Sequence, residues 1–337
     1  MIVNTRAFAR AGLIGNPSDG FFGKTISASV RNYAARVTLF ESPELVIEPH
    51  RNDRTTFANV SELLEDVRLG GYYGGLRLIK GAIVRFSRYC RERGIELPVR
   101  NFTIRYDSAI PVRVGLAGSS AIITAAMRAL CRFYGVEVPL EESPNLVLSV
   151  ETRELGIPAG LQDRVVQAYE GLVYMDFSRE IMEEYGHGRY ERLDPARLPP
   201  LYVAHSSQLG EGTEVPHSDL RKRFEAGDRT VHRAMREFAD LTDRFRAALE
   251  SGRTSELHAL MNRNFDLRAS IVHISEANWR LVNTARNTGA SAAFCGSGGA
   301  IVGICEGDRA FAELSAALAE IGAVTVRPRV VAGEDEK

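Results

Sequence analysis

Residues 111–134, PVRVGLAGSSAIITAAMRALCRFY, join a glycine-rich turn to a strongly apolar helical run. The run predicts a helix because its apolar side chains recur at helical spacing. One face of this helix is formed by Ile122, Ile123, Ala126, Leu130 and Phe133. Gly135 is the predicted stop signal just past its end. At the other end, main-chain N–H groups lack helical partners and lie at the positive end of the helix dipole, so they can bind a phosphate.

The turn before this helix carries small residues that let an anion approach the backbone. Gly115 and Gly118 have no Cβ in the way of a ligand. The hydroxyls of Ser119 and Ser120 can bind a phosphate or ligate Mg²⁺. The predicted phosphate-binding residues are Gly115, Leu116, Ala117, Gly118, Ser119, Ser120 and Ala121. A serine-capped buried helix is the alternative for a single loop of this kind, and further motifs along the chain favour phosphate binding.

The first of these motifs lies at Ala9–Thr25, ARAGLIGNPSDGFFGKT. A predicted strand carries Arg10 into a polar turn that bears Asn16, Ser18 and Asp19, side chains suited to hydrogen bonding a polyhydroxylated ligand. An ordinary Asn-Pro-Ser-Asp turn is the alternative. The segment GFFGKT resembles the end of a P-loop, but Ser18 stands where that pattern requires glycine, so we exclude it.

A third motif lies at Phe294–Ala300, FCGSGGA, between two apolar stretches. Its glycine-rich part consists of Gly296, Ser297, Gly298 and Gly299. Glycines lose more conformational entropy on folding than other residues, so a close approach to the backbone is predicted here. The approaching group is either a ligand phosphate or the other strand of a tight hairpin.

Residues 151–163, ETRELGIPAGLQD, carry two candidate functional acids. Glu151 lies on a helix predicted over residues 143–155, and Asp163 follows a Gly-Ile-Pro-Ala-Gly turn. A carboxylate near phosphates can hold Mg²⁺, and one near a substrate hydroxyl can orient or deprotonate it. A basic partner such as Arg10 would keep the second carboxylate ionised. A solvated surface position is the alternative for either acid.

The composition excludes several classes of protein. The chain has 337 residues, of which 45% are hydrophobic and 25% charged, and its formal net charge is −1. Nucleic-acid and anionic-membrane binders have a basic excess that is missing here. The four cysteines show no metal-binding spacing, and the first residues lack a long apolar segment, so we expect a reduced, cytoplasmic protein without a signal peptide. The sequence does not determine the oligomeric state.

Strands and helices alternate irregularly along the chain, which favours an α+β fold. The predicted strands are Ala7–Leu13, Arg36–Phe40, Leu45–Glu48, Phe102–Tyr106, Leu172–Phe177, Leu201–His205, Ala300–Cys305 and Val324–Val331. One long helix is predicted from about residue 219 to 250, and a final helix begins at Asp308. The proline-rich stretch 194–200 predicts a boundary between domains at residues 1–195 and 196–337.

Taken in order, these motifs resemble those of the GHMP kinases, the small-molecule kinases that include galactokinase, homoserine kinase, mevalonate kinase and phosphomevalonate kinase. The element P-x-x-x-G-L-x-G-S-S-A is the most specific part of the resemblance. The resemblance implies an α+β fold with a ribosomal-protein-S5-like N-terminal domain and a ferredoxin-like C-terminal domain. It also implies that ATP and a small-molecule substrate bind between the two domains.

The resemblance further implies a role for each motif. Gly115–Ala121 corresponds to the family's phosphate loop, and Ser120 and Glu151 correspond to its Mg²⁺ ligands. Asp163 corresponds to the catalytic aspartate, and Arg10 to the basic residue that accompanies it. The implied activity is a phosphotransferase with an alcohol group as acceptor.

Two departures from the family pattern narrow the range of substrates that the resemblance implies. Residues 15–20 read GNPSDG where galactokinases have Gly-Glu-His-x-Asp-Tyr, which disfavours galactokinase itself. The loop GLAGSSA is one residue longer than the common form, and together with GNPSD, GLQDR and GLVYMDFS it is similar to the family members that phosphorylate the anomeric hydroxyl of D-glucuronate. The implied substrate-binding residues are Asn16, Ser18, Asp19 and Arg164. Candidate cations for the sugar carboxylate are Arg164, Arg153 and Lys24.

Other functions remain open at this point. A kinase of galacturonate, a heptose, fucose or galactose would carry the same family motifs. A non-catalytic sensor of ATP and sugar would not need Ser120, Glu151 and Asp163 together. An NAD-dependent oxidoreductase is disfavoured because the chain lacks G-x-G-x-x-G between a strand and a helix.

Overall fold

A computed structural model of the chain describes residues 1–50, 53, 58–64, 74–206 and 214–333, with the backbone alone for 214–218. Among these residues, six strands form a first sheet: β1 Ile2–Ile14, β2 Lys24–Glu41, β3 Val46–Glu48, β4 Phe102–Ser108, β5 Leu172–Asp176 and β6 Arg189–Leu193. β1 pairs along most of β2, while β4 and β5 pair with the two halves of its other edge. β3 runs parallel to β4, and β6 runs antiparallel to β5.

The helices of this first part lie at α1 Gly75–Glu92, α2 Gly118–Tyr134, α3 Ser143–Ser149, α4 Gln162–Tyr169 and α5 Arg179–Tyr185. α2 packs against β1, β2 and α1, and it buries the apolar face that the sequence predicts. Its Phe133 ring meets that of Phe102 on β4 edge to face at 5.5 Å. Gly135 adopts a left-handed conformation with φ 68° and ends the helix, as predicted.

Four further strands in the described ranges form a second, antiparallel sheet in the order β10-β7-β9-β8. Their bounds are β7 Leu201–Ser206, β8 Ala293–Phe294, β9 Ala300–Ile304 and β10 Ala323–Val326. The helices of this part are α6 Glu214–Glu225, α7 Arg229–Glu250, α8 Thr254–Ala269, α9 Glu276–Asn287 and α10 Asp308–Glu320. α7 and α8 pack back against β1, so the apolar core continues from the first sheet into the second half of the chain.

The mixture of helices with two mainly antiparallel sheets is the α+β class predicted from the sequence. The proline-rich stretch forms a short 3₁₀ turn, Pro195–Arg197, between β6 and β7. The domain boundary placed there stays a prediction. No helix within the described residues combines the length and apolar character needed to cross a bilayer.

One predicted helix differs from the structure in type and another in continuity. The helix predicted over 143–155 is α-helical over Ser143–Ser149 and continues as a π-helical turn over Val150–Glu154, so its extent is confirmed to within one residue. The helix predicted over 219–250 is two helices, because Gly227 takes a left-handed φ of 79° and Asp228 caps a new helix. The Asp228 carboxylate accepts hydrogen bonds from the main-chain N–H groups of Thr230 and Val231.

The bounds of several strands also differ from the prediction. β1 begins at Ile2, five residues before the predicted start at Ala7. β2 begins at Lys24, twelve residues before the predicted start, because its first half is buried on both faces and lacks an alternating pattern. The last strand ends at Val326 rather than Val331. The chain beyond it is held by Asn32, whose side chain donates to Arg327 O at 3.0 Å and accepts from Arg329 N at 2.7 Å.

Candidate active site

Arg10 lies at the centre of the candidate site and contacts three of the predicted motifs. Its Nε donates to Asp163 Oδ1 at 2.8 Å, and Nη2 donates to the same oxygen. Its Nη1 donates to Gly115 O at 3.1 Å and also to Cys295 O. The main-chain N–H of Arg10 donates to Leu116 O at 3.2 Å. The structure therefore brings Arg10, Asp163, the phosphate loop and the third motif together.

Asp163 lies in the first turn of α4 between two guanidinium groups. Its Oδ2 is 3.4 Å from Arg164 Nη1, and Arg164 Nη2 donates to Glu151 Oε2. Arg10, Asp163, Arg164 and Glu151 thus form a chain of alternating charges. The side chain of Asp163 is 20% exposed, against 5% for Arg10 and 4% for both Arg164 and Glu151. Asp163 is therefore the member of this chain most accessible to a ligand.

Asp19 reaches the same region from the turn after β1. Its Oδ2 accepts a hydrogen bond from Gln162 N at 3.2 Å, and it packs so closely on Gly160 that a Cβ there would collide with it. Burial, and then the negative charge of Asp163, raise the pKa of Asp19 to about 6. A carboxyl group with this pKa changes its charge near neutral pH, next to the predicted catalytic aspartate.

The two other polar residues of the first motif have structural contacts. Asn16 Nδ2 donates to Gly296 O at 2.9 Å, which links the first motif to the third. Ser18 is fully buried, and its Oγ donates to Lys24 O at 3.0 Å within the turn. The predicted contacts of both residues with a substrate stay predictions.

The phosphate loop ends in a backbone conformation that is unusual for its residue. Ala117 precedes α2 with φ 63°, in the left-handed region that favours glycine. Its carbonyl accepts hydrogen bonds from Ser120 Oγ and from Ala121 N, both at 3.1 Å. α2 begins at Gly118, so the N–H groups of its first turn lie at the predicted anion-binding position.

The glycines of the third motif allow its backbone to pack directly on the phosphate loop. A Cβ on Gly115 would lie 2.7 Å from Gly298 O, and a Cβ on Gly299 would lie 3.0 Å from Val114 Cα. A Cβ on Gly296 would collide with the main-chain oxygen of Gly115. Real Cβ atoms rarely or never approach other atoms so closely, so the close approach of protein backbone accounts for these glycines.

Two residues of α8 that the sequence analysis did not identify hold these loops. Asn264 Oδ1 accepts from Gly15 N at 2.8 Å, and its Nδ2 donates to Asn16 O at 3.3 Å. Arg268 donates from Nη1 to Gly296 O at 2.6 Å and from Nη2 to Ser297 O at 3.3 Å. Burial lowers the pKa of Arg268 to about 10. Both lie at helical spacing on the apolar face of α8, which was a signal present in the sequence.

The three candidate cations for a carboxylate differ in their surroundings. Arg164 is buried and is bonded to Glu151 and to Gly160 O. Lys24 Nζ lies 2.7 Å from Asp243 Oδ2 and is partly exposed. Arg153 is exposed on the π-helical turn.

The residues predicted to hold Mg²⁺ have suitable donor atoms. Mg²⁺ prefers oxygen ligands and commonly takes one or two from the protein, with waters and substrate phosphates completing its octahedron. Ser120 and Glu151 provide a hydroxyl and a carboxylate, although Arg164 already engages one oxygen of Glu151. The described residues contain no cluster of three or more histidine, cysteine, aspartate or glutamate side chains able to hold a metal ion without other ligands.

The chain matches two family models over more than half of its length. The model of the GHMP kinases N terminal domain matches residues 77–171, and the model of the GHMP kinases C terminal region matches residues 245–323. These ranges contain the phosphate loop, Asp163 and the third motif. The resemblance inferred from the motifs is therefore confirmed.

Curated relatives with high similarity cover most of the chain. Glucuronokinase 1 from Arabidopsis thaliana is 43% identical over 309 residues, which are 90% of this chain and 85% of that protein. Probable glucuronokinase 2 from the same organism is 45% identical over 307 residues, with 89% and 83% covered. A mevalonate kinase from Pyrococcus horikoshii is 28% identical over 225 residues, with 64% and 63% covered.

Solved structures share the fold at low sequence identity. Lactococcus lactis galactokinase, complexed with galactose, superposes with a TM-score of 0.79 at 16% identity, covering 98% of this chain and 94% of that one. L. major mevalonate kinase, in complex with R-mevalonate, gives a TM-score of 0.69 at 18% identity, with 98% and 97% covered. The predicted α+β architecture is confirmed by these likenesses.

The raised pKa of Asp19 predicts a pH dependence that can be measured. Asp19 is a predicted substrate-binding residue, and its ionised carboxylate is a better hydrogen-bond acceptor than the neutral carboxyl group. We therefore expect kcat/KM for the acceptor substrate to rise as the pH increases through about 6. Asp19→Asn should remove this limb of the profile, and Asp240→Asn, at an exposed position, should keep it. An unchanged limb in Asp19→Asn would assign the titration to another group.

The raised pKa of Asp19 also predicts that the folded protein loses stability as the pH increases, whereas its activity is expected to increase. The folded state binds the Asp19 proton more tightly than the unfolded chain, so this group's contribution to stability falls as the pH rises from about 3.8 to about 6. Urea unfolding measures the free energy of unfolding of wild type and of Asp19→Asn at several pH values between about 3.8 and about 6. Over this range the free energy of unfolding of wild type should fall relative to that of Asp19→Asn as the pH rises.

Proposed function

The chain belongs to the GHMP kinase family, and we propose that it transfers the γ-phosphoryl group of ATP to the anomeric hydroxyl of D-glucuronate. The similarity to two glucuronokinases at 43% and 45% identity, over about nine-tenths of the chain, supports this substrate. The geometric observation that carries the chemistry is the position of Arg10, whose guanidinium contacts both Asp163 and the phosphate loop at Gly115. A partly exposed carboxylate beside the proposed phosphate loop supports phosphoryl transfer to a hydroxyl.

In this proposal the phosphate loop positions the nucleotide. The N–H groups at the start of α2 and the hydroxyls of Ser119 and Ser120 bind the phosphates of ATP. Phosphoryl transfer depends mainly on alignment and on neutralising charge around the transferred group. The loop supplies the alignment, because its backbone is packed against the third motif and held by Arg10.

Asp163 orients the acceptor hydroxyl. It is flanked by Arg10 and Arg164, so its negative charge is already compensated before substrate binds. Such a carboxylate accepts a hydrogen bond from the sugar hydroxyl. It takes the proton as the hydroxyl oxygen bonds to the γ-phosphorus of ATP and the bond from that phosphorus to the bridging oxygen breaks, which releases ADP. Asn16, Ser18, Asp19 and Arg164 are the proposed residues around the sugar.

Ser120 and Glu151 are the proposed protein ligands of Mg²⁺. When bound, Mg²⁺ neutralises charge on the phosphates and helps to align them. Arg164 and the metal ion would both draw on the carboxylate of Glu151, so the metal site and the charge chain that includes Asp163 are linked through that residue.

Asp163→Asn should retain ATP binding and lower kcat by about 10²-fold or more, the scale that a positioned acid–base group supplies. The physical reason is that the amide cannot take a proton and pairs less strongly with Arg10. Steady-state turnover and equilibrium ATP binding measure the two effects, with Asp240→Asn as the matched surface control. Near-normal turnover in a folded Asp163→Asn protein would remove Asp163 from the mechanism.

Ser120→Ala and Glu151→Gln should each raise the Mg²⁺ concentration needed for half-maximal activity. Their losses should be less than additive when combined, because both side chains serve one ion. The measurement is a Mg²⁺ titration at fixed ATP for the two single variants and the double variant. Thermal unfolding serves as a control, because Glu151→Gln also weakens a buried ion pair. Additive losses across the titration would argue against a shared metal ion.

Glucuronate should be preferred over glucose by at least about tenfold in kcat/KM. A charge-assisted hydrogen bond to the carboxylate is worth about 1.5–3 kcal/mol, which corresponds to about one to two decades of affinity. The assay measures ADP release with glucuronate, glucose, galacturonate and galactose. Lys24→Gln and Arg153→Gln test which cation is responsible, and Arg309→Gln, 93% exposed, is the control. A preference for a neutral sugar would contradict the proposed substrate and leave the family assignment standing.

A further inference from the structure

We infer that Gln167 is a positioning residue that holds the phosphate loop in register with the Arg10–Asp163 pair. This inference goes beyond the proposed function and rests on it only for the role of Asp163. Gln167 lies on α4, one helical turn after Asp163, and is 1% exposed. It contacts none of the groups that would react, so it acts through the residues that it holds.

Both ends of the Gln167 amide group have partners on other elements. Nε2 donates to Ala117 O at 3.0 Å and to Phe8 O at 3.3 Å. Oε1 accepts from Thr124 Oγ1 on α2 at 3.3 Å. One side chain therefore joins α4 to β1 two residues before Arg10, to the last residue before α2, and to α2 itself.

The contact with Ala117 O helps to fix the direction in which the N–H group of the next residue faces. In a planar trans peptide, the C=O and N–H bonds point in opposite directions. Holding Ala117 O towards Gln167 therefore turns the N–H of Gly118 away from Gln167, to the opposite side of that peptide plane. Gly118 N–H is the first donor of α2 and belongs to the proposed phosphate site.

The Ala117 peptide needs such support because of its conformation. Ala117 has φ 63°, a left-handed conformation that is energetically unfavourable for alanine. Three donors bind its carbonyl oxygen: Gln167 Nε2, Ser120 Oγ and Ala121 N. The bonds from Ser120 and Ala121 come from α2, the helix that this carbonyl precedes. The bond from Gln167 comes from the helix that carries Asp163, so it is the one that relates the loop to the catalytic pair.

α4 acts as a rigid connection between these two points. Residues four apart lie on one face of a helix, about 6 Å apart along its axis. Asp163 binds Arg10 at one end of this face, and Gln167 binds the phosphate loop and β1 at the other. A shift of the loop relative to Asp163 would therefore have to break the Gln167 contacts.

The test uses Gln167→Leu and the length-matched Gln167→Met in the full chain, with Thr124→Val as control. Thr124→Val removes the bond to Oε1 and leaves both Nε2 bonds in place. Both Gln167 variants should lower kcat by about 10- to 100-fold, the effect of a misplacement of about 1 Å. They should weaken binding of ATP while leaving that of adenosine unchanged, because the disturbed donors face phosphate. Thr124→Val should keep kcat within about threefold of wild type.

A double-mutant cycle separates positioning from a general loss of structure. If Gln167 acts by aligning the loop with Asp163, its effect on kcat should largely disappear in an Asp163→Asn background. Any of three results would overturn the inference. The fold-losses in kcat of the Gln167 and Asp163→Asn variants could multiply fully in the double variant, or ATP and adenosine binding could weaken equally. A folded Gln167→Met protein could also show normal turnover. Should Gln167→Leu fail to fold, Gln167→Met gives the same readouts.

The binding comparison of ATP with adenosine needs no sugar. Its result therefore decides the role of Gln167 in the phosphate loop even if glucuronate is not turned over. In that case the double-mutant cycle is run with whichever of the four assayed sugars the wild-type protein phosphorylates. Failure of the proposed substrate and failure of this inference are thus distinguishable.

Discussion

The placement of the Arg10 guanidinium is the constraint on which the rest of the site depends. It is buried, and its donors serve Asp163, Gly115 O and Cys295 O, which are 153, 105 and 285 residues away along the chain. A buried cation without hydrogen-bonding partners is costly, so these three segments have to converge wherever Arg10 is buried. This requirement brings together the phosphate loop, Asp163, which is the proposed catalytic aspartate, and the third motif.

α4 carries Asp163, the carboxylate that pairs with Arg10, and it also contacts Glu151 and the phosphate loop. Asp163 and Arg164 extend the charge chain to Glu151, and Gln167 reaches back to the phosphate loop. α4 spans eight residues, which is too short for stable helix formation in isolation. Tertiary contacts therefore hold it, and the same contacts place its functional side chains.

Close backbone packing explains why the site is rich in glycine. Gly115, Gly296 and Gly299 lie where the phosphate loop and the third motif touch, and a Cβ at any of them would meet a neighbouring atom at or within about 3 Å. Asn264 and Arg268 then hold the first and third motifs from α8. The glycines allow the approach, and the polar residues of α8 fix its geometry through hydrogen bonds.

The sequence by itself determined the local features: the glycine-rich turn before α2, the end of that helix at Gly135, and Arg10, Asp163 and Glu151 as residues of interest. Such features depend on neighbours within a turn or two, so spacing and residue type reveal them. The tertiary structure alone decided that Arg164 pairs with Glu151, that Gln167 reaches Ala117, and that the third motif packs on the phosphate loop. These contacts join side chains and backbone groups from different elements, and their geometry is set by how those elements pack, which no local pattern encodes.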